Sequence, residues 1–97
     1  YKAPFFMLNK FLTYAISEKR FSEHTVIAYK KDLRQFLDFI ELKSESEIQE
    51  IKSNVIRGWM VFLLENDYSA VSVHRKLSTL RTFFKWLQKE GFIQKTQ

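Results

Sequence analysis

The sequence holds no cysteine, one proline and two glycines among its 97 residues. Without cysteine there are no disulfides, no thiolate metal sites and no cysteine nucleophile, a composition compatible with the cytoplasm. So little glycine and proline leaves scant chemistry for hairpins and favours long uninterrupted helices. Long apolar runs are missing too. The longest covers residues 59–64, far short of the roughly 20 residues of a membrane span. The stretch from Phe5 to Phe11 is broken by Asn9 and Lys10, which makes a poor signal peptide. There is no glycine-rich phosphate loop, no nucleophile elbow and no HExxH spacing. His24 and His74 fall on separate segments, and Glu45, Glu47 and Glu50 lie in a polar stretch where solvation explains them. No active site, metal, cofactor, small-molecule ligand or membrane contact is expected.

What is present suits one folded domain over residues 1–97. Hydrophobic residues make up 45% and charged residues 28%, the balance of a folded chain rather than a disordered tail. Ten Phe, four Tyr and two Trp are enough to line a core and leave apolar surface for a partner. The net charge of +5 favours a polyanion, and it is unevenly placed. Residues 1–21 carry +3 and residues 69–97 carry +5, whereas 22–42 and 43–68 carry −1 and −2. A chain that begins at Tyr1 rather than Met reads as a piece of something longer.

Apolar spacing predicts four helices. The first runs from about Pro4, well placed in a first turn, to Lys19. Phe5, Leu8, Leu12, Ala15 and Ile16 share one face, and Phe6, Met7 and Tyr14 form a second apolar face. The second helix is capped by Ser22 and runs to about Leu42. Its buried stripe is Val26, Tyr29, Leu33, Phe36, Leu37 and Ile40. The opposite stripe, His24, Ala28, Lys31 and Gln35, is small, polar and cationic and suits a groove. Residues 43–53 read as a connector with room for one short turn of helix near Ile48. Ser53 caps a third helix to about Asn66, with Val55, Ile56, Trp59, Phe62 and Leu63 facing the core and Met60, Val61 and Leu64 elsewhere. A helix so apolar all round is expected to be a central post buried on every side. After a turn at Asn66-Asp67-Tyr68, Ser69 caps a fourth helix that Gly91 stops just past Glu90. Val73, Leu77, Leu80, Phe84 and Leu87 form its core stripe; Ser72, Arg75, Lys76 and Thr79 form a polar, basic flank.

Hydroxyls and amides reach phosphates or base edges, and Arg bridges guanine through two hydrogen bonds. Ser22, His24 and Thr25 crowd one helix start, and Ser69 and Ser72 another, where backbone N–H groups and the helix dipole favour a phosphate. Taken alone, Ser22 and Ser69 are equally well explained as caps. With Arg75, Lys76 and Thr79 beside them, the DNA reading pulls ahead.

Two segments carry a family resemblance. Phe21-Ser22-Glu23-His24-Thr25, with Tyr29, Asp32-Leu33, Phe36 and Phe39, resembles the SxxTxxxYxxDLxxFxxF signature of tyrosine site-specific recombinases and phage integrases. The run from His74 to Leu87, with Lys89-Glu90-Gly91, resembles their RxLSxLRxFFxxLxxEG helix. The resemblance extends from the first helix to Gly91 and is strongest to Xer-like and mobile-element integrases. It implies an all-α fold, an orthogonal bundle of four main helices (the SAM-like core-binding domain), which clamps DNA together with a separate catalytic domain. By that resemblance the second and fourth helices meet duplex DNA through His24, Thr25, Ala28, Lys31, Ser72, Arg75, Lys76 and Thr79. The first helix would meet a neighbouring protomer of a synaptic tetramer through Phe6, Met7 and Tyr14. The family's catalytic Arg, Lys, HxxR motif and nucleophilic Tyr belong to the other domain: neither His24 nor His74 is followed three residues later by Arg, and none of the four tyrosines lies in that context. The chain is therefore expected to bind DNA without cutting it. Two rivals remain. A helix-turn-helix regulator would need a tight glycine-bearing turn, whereas Gly58 falls inside a helix. A helical protein–protein adaptor draws on the doubly apolar first helix.

Overall fold

The computed structural model describes residues 3–40, 51 and 53–93. Among them are four α-helices and no strand: α1 (Ala3–Ser17), α2 (Glu23–Ile40), α3 (Ser53–Glu65) and α4 (Ala70–Lys89). The all-α expectation holds. The extra turn near Ile48 and the side chain of Phe5 lie outside the described residues. The chain divides into two compact units, Tyr1–Glu45 and Ser46–Gln97.

In the first unit α1 packs on α2. Met7, Leu8, Phe11, Leu12 and Ala15 recur at three- and four-residue steps and are all buried, so the helix buries a single stripe. Two expectations are corrected here. Met7 is only 1% exposed and belongs to the core, while Ile16, placed on the core face by spacing, is 58% exposed. Met7 stands four residues before Phe11, directly on the buried stripe; Ile16 lies beyond that stripe's edge. From α2 come Leu33, Phe36 and Leu37, with the carboxylate residue Asp32 buried beside them in sequence. Aromatic rings tie the two helices: Phe11 stacks on Tyr29 at 6.0 Å, and Phe21 meets the same ring edge-on at 5.5 Å. The α1 helix ends two residues earlier than expected, because Arg20 takes a left-handed φ of 54°. The Phe21 N–H then reaches back to the Ala15 carbonyl at 3.0 Å. Ser22 starts α2 by accepting from the Thr25 N–H at 3.2 Å, the side-chain cap expected of it.

In the second unit α3 packs on α4, and the core is built from Trp59, Leu63, Val73, Leu80, Phe83, Trp86, Leu87 and Ile93. The post expected at α3 is corrected: Trp59 and Leu63 are buried, but Val61, Phe62 and Leu64 are 47%, 42% and 49% exposed. A 13-residue helix buries one side, and apolar residues on its other sides stay in solvent. The core stripe of α4 is also rotated from the expected one. Phe83 and Trp86 are buried and stacked at 6.2 Å, whereas Leu77 and Phe84 are half-buried.

The two ends of this hairpin are set by local chemistry. Between α3 and α4, Asp67 adopts a left-handed φ of 69°, and the Tyr68 N–H donates to the Leu63 carbonyl at 3.1 Å. The Ser69 Oγ then accepts from the Ser72 N–H at 3.1 Å. At the far end Gly91 has φ 83°, a value glycine adopts without a Cβ penalty. The Phe92 N–H bonds to the Leu87 carbonyl at 2.9 Å and the Gly91 N–H to Gln88 at 3.2 Å, the paired closure of a Schellman motif.

Candidate nucleic-acid interface

The most basic surface of the described residues is the outer side of α4. The helix sequence contains no Asp or Glu. Val73, Lys76, Leu80, Phe83 and Leu87 turn inward, so the 3.6-residue period turns His74, Ser78, Arg81 and Lys85 outward as a row at steps of four, three and four. His74, Arg75, Arg81, Lys85 and Lys89 are exposed and Ser78 is half-buried. The first turn adds free backbone N–H groups and the positive end of the helix dipole. Ser69 satisfies one of those groups and also donates its hydroxyl proton to the Ser72 Oγ at 3.1 Å.

Of the four residues expected on the basic flank, Arg75 alone is exposed and Ser72 is half-buried. Lys76 and Thr79 are corrections: they are 3% and 1% exposed. The Thr79 hydroxyl donates to the Arg75 carbonyl at 3.3 Å, and the Lys76 ammonium lies over the Tyr68 ring, 5.1 Å from its centroid. Both stand on the inner side of the helix: Lys76 falls three residues after Val73 and four before Leu80, and Thr79 falls four before Phe83, within the buried stripe. Arg81 and Lys85, with His74, are the outward residues that the flank reading missed. Their spacing of seven and four residues was available as the signal.

On α2, His24 and Lys31 are exposed, and Thr25 and Ala28 are half-buried. Thr25 shares a hydrogen bond with Ser22 between hydroxyls at 3.0 Å. Ile27, Lys30 and Arg34 are exposed on this outer side as well, and so are the acidic Glu23 and Asp38. On α1, Phe6 is 50% exposed with the Lys10 ammonium over its ring at 5.4 Å; Tyr14 is half-buried and in ring contact with Phe11 at 6.2 Å. Met7 leaves that set, since it faces the core. Among the described residues no group of three or more His, Asp or Glu side chains is placed to hold a metal ion. No helix among them is long and apolar enough to cross a membrane.

Among the described residues the chain is all-helical, and its last helix presents a cationic outer side and a hydroxyl-rich start. Comparison with known proteins sharpens the class. Residues 8–91 match the family model described as phage integrase, N-terminal SAM-like domain. The chain belongs to this family, the N-terminal SAM-like domain of tyrosine recombinases. Among curated proteins it is 37% identical over 86 residues to the tyrosine recombinase XerC of Halalkalibacterium halodurans, covering 89% of this chain and 28% of that protein. It is 39% identical over 89 residues to the XerC of Thermodesulfovibrio yellowstonii, 92% of this chain and 28% of that protein. With the tyrosine recombinase XerD of Rickettsia bellii the identity is 31% over 84 residues, 87% of this chain and 27% of the relative. The chain thus spans a little over a quarter of the length of these relatives. No solved structure gives a significant match.

Proposed function

We propose that this chain is the DNA-gripping domain of a tyrosine-type site-specific recombinase, holding half of a recombination site while strand cleavage through a phosphotyrosyl intermediate is performed outside residues 1–97. The observation that carries this reading is the acid-free outer side of α4 with His74, Arg75, Arg81 and Lys85 exposed along it. Phosphate contacts from such a row supply affinity and register, and the exposed Arg75 carries a guanidinium of the kind that bridges a base edge. His24 and Lys31 of α2 add contacts of the same kind, with Thr25 and Ala28 at their margin. The domain contributes binding rather than chemistry, which agrees with the lack of a catalytic constellation in its sequence. A cytoplasmic location is compatible with that role. In the assembled recombinase the exposed Phe6, with Tyr14 beside the core, is offered to a neighbouring protomer.

Titration of a labelled duplex at several salt concentrations tests the reading. With roughly four to six phosphates neutralised, log K falls against log salt with a slope near −4 to −5. Absence of binding at low salt refutes it. The adaptor reading would then draw on Val61, Phe62 and Leu64, the exposed apolar residues of α3.

A further inference from the structure

Lys76 combines a charged side chain with the exposure of a core residue, 3%. An ammonium withdrawn from water needs compensation. The face of Tyr68 supplies part of it: at 5.1 Å from the ring centroid, the cation is inside the ~6 Å range over which a ring quadrupole attracts it. Tyr68 is in turn held by the α3–α4 turn, through the bond from its N–H to the Leu63 carbonyl. It directly follows Asp67, whose φ of 69° lies in the left-handed region that residues with a Cβ seldom adopt. A strained turn holds one geometry only when its surroundings over-determine it. Ser69, Ser72 and Arg75 all stand between Tyr68 and Lys76 in sequence, on the turn and on the first two turns of α4.

We infer that the Tyr68 ring and the Lys76 ammonium form a latch that fixes the α3–α4 turn and so aims Ser72 and Arg75, making both latch members positioning residues for DNA rather than contacts to it. The inference rests on the DNA-binding reading above. The mechanism is preorganisation: a start of α4 that wanders binds with an affinity reduced by the fraction of time it is correctly placed.

The full 97-residue chain and its variants are titrated onto a labelled duplex of mixed sequence across a range of salt. Tyr68→Leu and Lys76→Met each weaken binding by roughly two- to thirty-fold, the span of ammonium–ring energies, and leave the salt slope unchanged. The double variant binds no worse than the weaker single one. Tyr68→Phe and Lys76→Arg, which keep the ring and the cation, restore binding. A phosphate contact by Lys76 would instead flatten the slope by about one unit in Lys76→Met and leave Tyr68→Leu unaffected; that result overturns the latch. Should the unaltered chain bind no duplex, the DNA reading falls and the positioning role falls with it. The pair itself is then decided without DNA. A melting double-mutant cycle shows coupling between Tyr68 and Lys76, and the Lys76 ε-methylene protons, shifted by the ring current, move back in Tyr68→Leu. Zero coupling with an unmoved shift overturns the pair as well.

Discussion

The outer sides of α2 and α4 are both studded with cations, yet they differ in what accompanies them. On α2, Lys30, Lys31 and Arg34 share the exposed side with Glu23 and Asp38. On α4, Arg75, Arg81, Lys85 and Lys89 are exposed on a helix without a carboxylate. Long-range attraction to a polyanion depends on the summed field, whereas recognition depends on individual side chains within reach of an edge. On the proposed DNA-binding role, α4 would supply most of the electrostatic grip and α2 a smaller, locally specific share.

Removing charge in pairs breaks or sharpens that division. Arg81→Ala combined with Lys85→Ala on α4 flattens the dependence of log K on log salt by about two units, and weakens binding roughly a hundredfold near ~0.1 M salt. Lys30→Ala combined with Lys31→Ala on α2 flattens it by about one unit or less. Equal slopes from the two pairs would erase the distinction.

Arg75 tests the specific side of α4. Arg75→Ala costs about 1–3 kcal/mol in affinity for the cognate half-site when the guanidinium meets a base edge, and relaxes specificity there. As an exposed residue it changes folding stability by no more than about 0.5 kcal/mol. Affinity and melting measured together separate the two effects, and unchanged affinity removes Arg75 from the interface.

The smallest effects belong to the helix starts. Ser69→Ala and Ser22→Ala each remove a hydroxyl cap from the Ser72 and Thr25 N–H groups, at a cost of about 1 kcal/mol in stability. Ser69 opens a helix without a carboxylate, whereas Glu23 stands in the first turn of α2, so the effect of Ser69→Ala on DNA binding exceeds that of Ser22→Ala. Chemical denaturation and duplex titration of both variants check the order.

Much of this was legible in the sequence because it is local. Ser22, Ser69 and Gly91 mark helix ends through hydrogen bonds and backbone freedom that reach only a few residues, and the structure uses each as expected. The all-helical fold followed from scarce glycine and proline and from the 3.6-residue period. The phase of that period was harder to read. α4 carries apolar residues on more than half its circumference, so the stripes containing Leu77 and Phe84, or Phe83 and Trp86, were both available. Tertiary packing chose the second pair, and with that rotation Lys76 and Thr79 turned inward and Arg81 and Lys85 outward. The same slip moved Met7 into the core and Ile16 out of it. Asp32 and Lys76 were missed as buried residues because a charge reads as surface unless its partner is known.

The central claim is that the outer side of α4 is the surface that meets duplex DNA. Adding unlabelled duplex to the isotope-labelled chain and following each backbone amide by NMR tests it most directly. The account predicts that the largest shift changes fall at Ser72, His74, Arg75, Ser78, Arg81 and Lys85, with smaller ones at His24 and Lys31. Changes concentrated instead on Val61, Phe62 and Leu64 of α3, with α4 silent, would contradict it.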